Sequence, residues 1–150
     1  MLILHSPVPE PPARSRELEK KLVACRVLDE GKKIVFGTHL VADFWGVSSD
    51  ILDDPDRILE ILISGARAAD ATVIDTCVHH FAPYGVTATV TLAESHICLH
   101  SWPEHSYCAL DVFVCGKSDA SKALETIRTL LSPQRESVIE MLRGNLPRFT

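Results

Sequence analysis

Four features are scarce in this sequence, and each scarcity closes off a class of protein. Long apolar runs are missing. The N-terminus is apolar only over Met1–Leu4 before His5 and Pro7, and no later stretch approaches the roughly 18 residues of a membrane span. Neither a secretory signal nor a membrane segment is therefore expected. Basic residues are outnumbered: 15 Lys and Arg stand against 20 Asp and Glu, a net charge of -5. That balance argues against nucleic acid or an anionic membrane surface as the main partner and would suit a cationic ligand. Cysteines do not form an even set, since there are five in 150 residues. An odd count without a signal argues against a disulfide framework and for a reducing cytoplasm, with thiols as core filler, metal ligands or catalysts. Familiar site signatures are also missing: there is no C-x-x-C pair of the kind that builds structural zinc sites and no G-x-S-x-G nucleophile elbow. No internal repeat is present.

What remains is one domain with enough chain to bury a core. Hydrophobic residues make up 46% and charged residues 23%, ordinary for a globular protein. Residues 1–32, with Pro7, Pro9, Pro11 and Pro12, read as an extended, Pro-rich and charged appendage. Within it Ser15–Leu28 has the makings of a short helix, and Gly31–Lys33 of a turn. Residues 33–150 read as the working domain. Ile34–Trp45 is β-branched and apolar and predicts a strand. Asp53-Asp54-Pro55 is a helix start, followed by Ile58, Leu59, Leu62, Ile63 and Ala66 at helical spacing. Thr72–Phe81 and Val86–Leu92 predict a hairpin around the turn Pro83-Tyr84-Gly85. Tyr107–Cys115 predicts a fourth strand. After a turn over Gly116–Asp119, the residues Ala123, Leu124, Ile127, Leu130 and Leu131 predict a second amphipathic helix stopped before Pro133. Ser137–Leu142 closes the domain as a last short strand. The order β-α-β-β-β-α-β predicts an α+β fold, a two-layer sandwich of a mainly antiparallel sheet with two helices on one face. The other face is left for a partner subunit or for solvent-tolerant side chains.

Reactive residues are concentrated in Glu94–Cys115. This segment holds His96, His100 and His105, three of the five cysteines (Cys98, Cys108 and Cys115), and Glu94, Ser95, Trp102 and Glu104. His79 and His80 lie one hairpin upstream. Three readings follow. His96, Cys98 and His100 alternate, so on a strand they would share one face and offer metal ligands, although no ligand pair from a second knuckle accompanies them. Ser95 or a cysteine assisted by a histidine would be a nucleophile. Alternatively the cysteines are packing residues, the reading preferred for Cys25 and Cys77 and, less strongly, for Cys98 and Cys108.

The order of residues then adds a resemblance. Ala93-Glu94-Ser95-His96, Leu99-His100-Ser101-Trp102-Pro103-Glu104, Asp111-Val112-Phe113 and Cys115-Gly116 closely resemble the short prokaryotic S-adenosylmethionine decarboxylases. His39-Leu40-Val41-Ala42-Asp43-Phe44, Phe81-x-Pro83-Tyr84-Gly85-Val86 and the stretch from Val138 to Gly144 resemble the same family, so the likeness runs from about Gly37 to Gly144.

The resemblance implies a proenzyme that cuts itself between Glu94 and Ser95. The Ser95 hydroxyl would attack the Glu94 carbonyl, turning the amide into an ester. Elimination and hydrolysis would then leave a pyruvoyl group where Ser95 had been. Such steps need a nucleophilic hydroxyl, oxyanion stabilisation and a base. The matching processing histidine is His100, and Thr87 stands where the family commonly has an assisting serine. The pyruvoyl carbonyl would take the substrate amine as a Schiff base and act as an electron sink. Cys115, a thiol mostly protonated at neutral pH, would reprotonate the α-carbon. Phe81 and Trp102 match aromatic residues that pack on adenine and can attract a sulfonium. Glu104 matches the carboxylate that grips the ribose, and Ile97 lies where the family's backbone meets the adenine edge. No metal is implied. The product would be the aminopropyl donor for polyamine (spermidine) synthesis, and similar proteins are cytoplasmic homodimers sharing residues between subunits. Two other readings stay open: a pyruvoyl decarboxylase of the same fold acting on arginine or ornithine, and a non-enzymatic zinc- or ligand-binding domain. Thr87-Ala88, Cys98, Cys108 and His105-Ser106 depart from the family's commoner residues.

Overall fold

Period-two burial dominates the chain. In the computed structural model, which describes residues 35–144, six strands form one antiparallel sheet. They are β1 (Gly37–Trp45), β2 (Val73–His80), β3 (Val86–Leu92), β4 (Ser95–Trp102), β5 (Tyr107–Cys115) and β6 (Arg135–Arg143). Their order across the sheet is β2-β3-β4-β5-β1-β6. The helices are α1 (Ser49–Leu52), α2 (Pro55–Ala68) and α3 (Ala120–Leu131). The predicted α+β architecture, an antiparallel sheet with two long helices packed on one face, is the one observed. The appendage, its helix and turn, and Cys25 lie outside the described residues.

One face of each central strand is fully buried. Leu40, Ala42 and Phe44 of β1, Ala88 and Val90 of β3, Ile97 and Leu99 of β4, and Leu110 and Val112 of β5 meet Ile58, Ile61 and Leu62 of α2 and Ala123, Ile127 and Leu131 of α3 in a single core. The two helices touch closely at Gly65, where a Cβ would lie 2.7 Å from the Ile127 side chain. Both helices start as their sequences require. The Asp54 carboxylate accepts the Arg57 N–H at 3.0 Å, with Pro55 next in line, and Asp119 accepts the Ser121 and Lys122 N–H groups. Ser101, buried in the core, ties α1 to the sheet. It accepts the Val86 N–H at 2.7 Å and donates to the Leu52 carbonyl at 2.6 Å.

Three expectations change. A sixth strand, β4, runs through the segment whose reactive residues had obscured its alternation. Ile97, Leu99 and Ser101 face the core, while His96, Cys98 and His100 share the helix-free face. The short α1 was also unforeseen. Finally, Cys77 is exposed rather than packed, because β2 is an edge strand that stays exposed along nearly its whole length. Cys108 is fully buried, as expected of a packing cysteine.

Candidate active site

Register sets the helix-free face out in rows. One row runs Thr91, His96, Phe113, His39 across β3, β4, β5 and β1. The next runs Thr89, Cys98, Asp111, Val41. The third is Thr87, His100, Ala109, Asp43, and the last is Trp102, Tyr107, Trp45. The expected site residues therefore separate along β4 instead of gathering at one point.

Ser95 opens β4 after the two-residue turn Ala93-Glu94, which joins Leu92 to Ser95. Its φ is 147°, a backbone conformation that L side chains rarely adopt, and holding it costs on the order of 1–3 kcal/mol. Strand alternation alone would aim Ser95 at the core with Ile97 and Leu99. Instead its Oγ lies 3.4 Å from His96 Nδ1. The Glu94 carbonyl accepts the backbone N–H of Cys115 at 3.0 Å, and the Glu94 carboxylate accepts the Thr72 N–H at 2.9 Å. The bond joining Glu94 to Ser95 thus has a hydroxyl on one side, a hydrogen-bond donor on its carbonyl oxygen, and a strained residue following it. Cys115 is half-buried beside it.

Two rows further along, His100 sits between two partners. Thr87 Oγ1 is 2.8 Å from its Nδ1 and Cys98 Sγ is 3.4 Å from its Nε2, while Thr89 Oγ1 lies 3.3 Å from the same sulfur. Thr87 and His100 are thus within hydrogen-bond distance of each other. His100 is five residues from Ser95 on an extended strand, about 16 Å at ~3.3 Å per residue.

The far end of β4 is aromatic and acidic. Trp102, 41% exposed, packs on Tyr107 with centroids 5.3 Å apart, and Tyr107 packs on Trp45 at 5.6 Å. The Tyr107 hydroxyl donates to Asp43 at 2.5 Å, and its pKa is pushed up to about 12 by burial and then by that carboxylate. Phe81, 48% exposed, carries His79 edge-on at 4.4 Å. It begins the hairpin tip, where its N–H donates to the Gly85 carbonyl at 2.8 Å. Asp53 holds both arms of that tip: one carboxylate oxygen accepts Gly85 N–H at 2.9 Å and lies 2.9 Å from His80 Nε2. These bonds hold the Asp53 carboxyl below its ordinary pKa, the Gly85 N–H contributing most. Gly85 has φ 106°, and a Cβ there would lie 3.0 Å from the Ser101 carbonyl oxygen. A pocket of about 520 Å³ opens beside the tip, lined by Ser49, Asp50, Asp53, Tyr84, Pro103 and Glu104.

Phe81, Trp102 and Glu104 thus belong to this end of β4, and Ser95, Glu94 and Cys115 to the other. Ile97 joins neither: its side chain is fully buried on the opposite face, and strands pair on both its edges. Asp53 and Tyr84 went unnoticed in the sequence as site residues, having served there as helix start and turn. Cys108, also fully buried, has its pKa pushed up to about 12 by burial and then by Asp43, so it stays an unreactive thiol. Among the described residues, no three His, Cys, Asp or Glu side chains gather as a metal site, and no helix is long and apolar enough to cross a membrane.

A helix-backed antiparallel sheet whose other face carries a serine, a thiol and paired histidines is the scaffold of an enzyme. Residues 38–144 match the family described as S-adenosylmethionine decarboxylase, and the chain belongs to that family. It is 38% identical over 109 residues to the S-adenosylmethionine decarboxylase proenzyme of Thermosipho africanus, covering 72% of this chain and 84% of that one. To the corresponding proenzyme of Methanococcus vannielii it is 39% identical over 109 residues, covering 72% and 89%. The crystal structure of the adenosylmethionine decarboxylase from Aquifex aeolicus superposes with a TM-score of 0.71 at 36% identity, over 77% of this chain and 97% of that one.

Proposed function

We propose that this family member, an adenosylmethionine decarboxylase, becomes active by cutting itself between Glu94 and Ser95, and that it then decarboxylates S-adenosylmethionine to the aminopropyl donor of polyamine synthesis. The observation that carries the reading is the geometry of the scissile link. The strained Ser95 lies where relief of φ favours bond breaking, and the Cys115 N–H already bonds the Glu94 carbonyl oxygen, on which negative charge would develop. The intact residues fit the implied cofactor, since its carbon frame is Ser95 itself. A pyruvoyl group on the new N-terminus supplies a carbonyl that takes the substrate amine and draws electrons as carbon dioxide leaves.

The chain's own residues do the rest. Cys115, beside the new N-terminus, gives its thiol proton to the substrate α-carbon. Trp102 and Phe81 offer aromatic surface to the base and the sulfonium, and Glu104 accepts hydroxyl hydrogens of the ribose. That trio at one end of β4 favours a nucleoside substrate over arginine or ornithine. One chain cannot bring its own Trp102 to its own Ser95, about 23 Å away at ~3.3 Å per residue. A homodimer joined through the helix-free faces, with antiparallel alignment of the two β4 strands, would set the Ser95 end of one subunit against the Trp102 and His100 end of the other. The free thiols Cys77, Cys98, Cys108 and Cys115 suit a reducing cytoplasm.

Intact mass spectrometry of the purified protein tests the reading. Two fragments split at Glu94/Ser95, the second blocked at its N-terminus, are expected, along with carbon dioxide release from S-adenosylmethionine but not from arginine. A single uncut chain after prolonged incubation would overturn it. Light scattering showing an active monomer would overturn the dimer.

A further inference from the structure

The cleavage reaction needs an acceptor for the Ser95 hydroxyl proton, and the histidine assigned to processing is far from it. His100 of the same chain lies about 16 Å along the strand by the rise of ~3.3 Å per residue, and both its ring nitrogens already face partners, Thr87 and Cys98. His96 is different. Its Nδ1 is 3.4 Å from Ser95 Oγ in the same chain. Neighbouring residues on a strand normally point to opposite faces; the unusual φ of Ser95 is what turns its hydroxyl toward the next side chain.

The surroundings steady the His96 ring. It packs edge-on against Phe113, with centroids 5.9 Å apart at 70°, and edge-on against His39, at 6.4 Å and 73°. His39 is itself fixed. Arg143 can only donate, so His39 Nδ1 accepts from Arg143 Nη1 at 3.0 Å, and its Nε2–H donates to Asp111 at 3.2 Å. Both ring nitrogens of His39 are thereby occupied on its far side, by a cation and an anion, and its ring packs edge-on against His96.

Resting on the self-cleavage read above, we propose that His96 is the proton carrier of its first step. Nδ1 takes the Ser95 Oγ proton as the bond from Oγ to the Glu94 carbonyl carbon forms. It returns that proton to the Ser95 α-nitrogen as the carbon–nitrogen bond breaks. The amide becomes an ester and a free amine, and no proton is gained or lost overall. The Cys115 N–H holds the carbonyl oxygen throughout. His100, supplied by a second subunit, is left for the later elimination.

Hydroxylamine separates the two steps, because it cuts an ester between Glu94 and Ser95 and leaves an amide intact. His96→Gln is expected to slow cleavage about 100-fold or more, the usual scale for a general base, and to release no fragments on hydroxylamine treatment. His100→Ala is expected to accumulate a hydroxylamine-labile chain. Added imidazole is expected to accelerate cleavage of His96→Gly. A His96→Gln chain that cuts at the wild-type rate, or that builds up the labile ester, overturns the assignment. So does a His96→Gly chain, folded by circular dichroism, that imidazole leaves unchanged. If instead the wild-type chain never cuts, the reading of self-cleavage falls and this inference falls with it.

Discussion

The two ends of β4 are built for different work. At the Ser95 end the backbone itself is reactive: a strained residue, a carbonyl held by the Cys115 N–H, and a histidine ring against the hydroxyl. At the Trp102 end the side chains carry the interest: stacked Trp102, Tyr107 and Trp45, an exposed Phe81, and a pocket with three carboxylates. The first arrangement suits bond breaking within the chain, and the second suits holding a ligand with an aromatic base, hydroxyls and a positive centre. Seven residues of extended strand keep them apart within one chain, so changes at the hairpin tip should spare self-cleavage at Ser95. That independence is open to attack by mutation.

The largest effect is expected at Ser95. Ser95→Ala removes the only hydroxyl on the scissile link. The chain should remain a single species by mass spectrometry and release no carbon dioxide, because no pyruvoyl group can form. Residual decarboxylation by this variant would sink the mechanism. Next is Cys115, which is assigned two roles through two different atoms. Cys115→Ala keeps the backbone N–H that bonds Glu94 but loses the thiol. Cleavage should proceed while decarboxylation falls by about 10²–10⁴, the range for losing a general acid. Equal losses in both measurements would show that the roles are not separable.

At the other end, Asp53→Ala removes the acceptor that joins His80 and Gly85 across the hairpin tip. These bonds to a charged acceptor order the tip beside the pocket. Loss of tip order should raise KM for S-adenosylmethionine roughly ten-fold, with kcat and self-cleavage little changed. A fall in cleavage rate in this variant would break the separation of the two ends.

How much of this was legible in the sequence follows from how locally each feature is encoded. The helices announce themselves through Asp54-Pro55 and Asp119 and through apolar spacing, and the β2–β3 hairpin through Pro83-Tyr84-Gly85. The α+β class followed from their order. β4 was harder to see because His96, Cys98 and His100 look like chemistry, while Ile97 and Leu99 between them supply only a short alternation. Ser95, Glu94 and Cys115 were readable as an ordered motif. Their hydrogen bonding was not, since the Cys115 N–H meets Glu94 through the pairing of β4 with β5. Asp53 was missed as a holder of the tip because its partner Gly85 is 32 residues away. Nothing in an acidic helix start points across such a distance. The exposure of Cys77 was missed for a related reason: residue type does not say which strand will lie at the edge.

The smallest expected effect concerns the same carboxylate. In the folded chain Asp53 titrates below its ordinary value of 3.8, first because Gly85 N–H donates to it and then because of His80. A group whose folded pKa is depressed stabilises the fold above the unfolded value, and that contribution is lost as pH falls through the folded value. Asp53→Asn keeps an oxygen that can accept the Gly85 N–H but has no charge to lose. The wild-type chain should therefore unfold at a slightly higher temperature than Asp53→Asn at about pH 5, and the gap should close as pH drops below 3.8. The same comparison in a Ser95→Ala background should give the same gap, since an uncut Ser95 end leaves the tip untouched. A gap that persists at low pH would show that the Asp53 charge is not its source, and a gap that depends on Ser95 would tie together the two ends that the length of β4 holds apart.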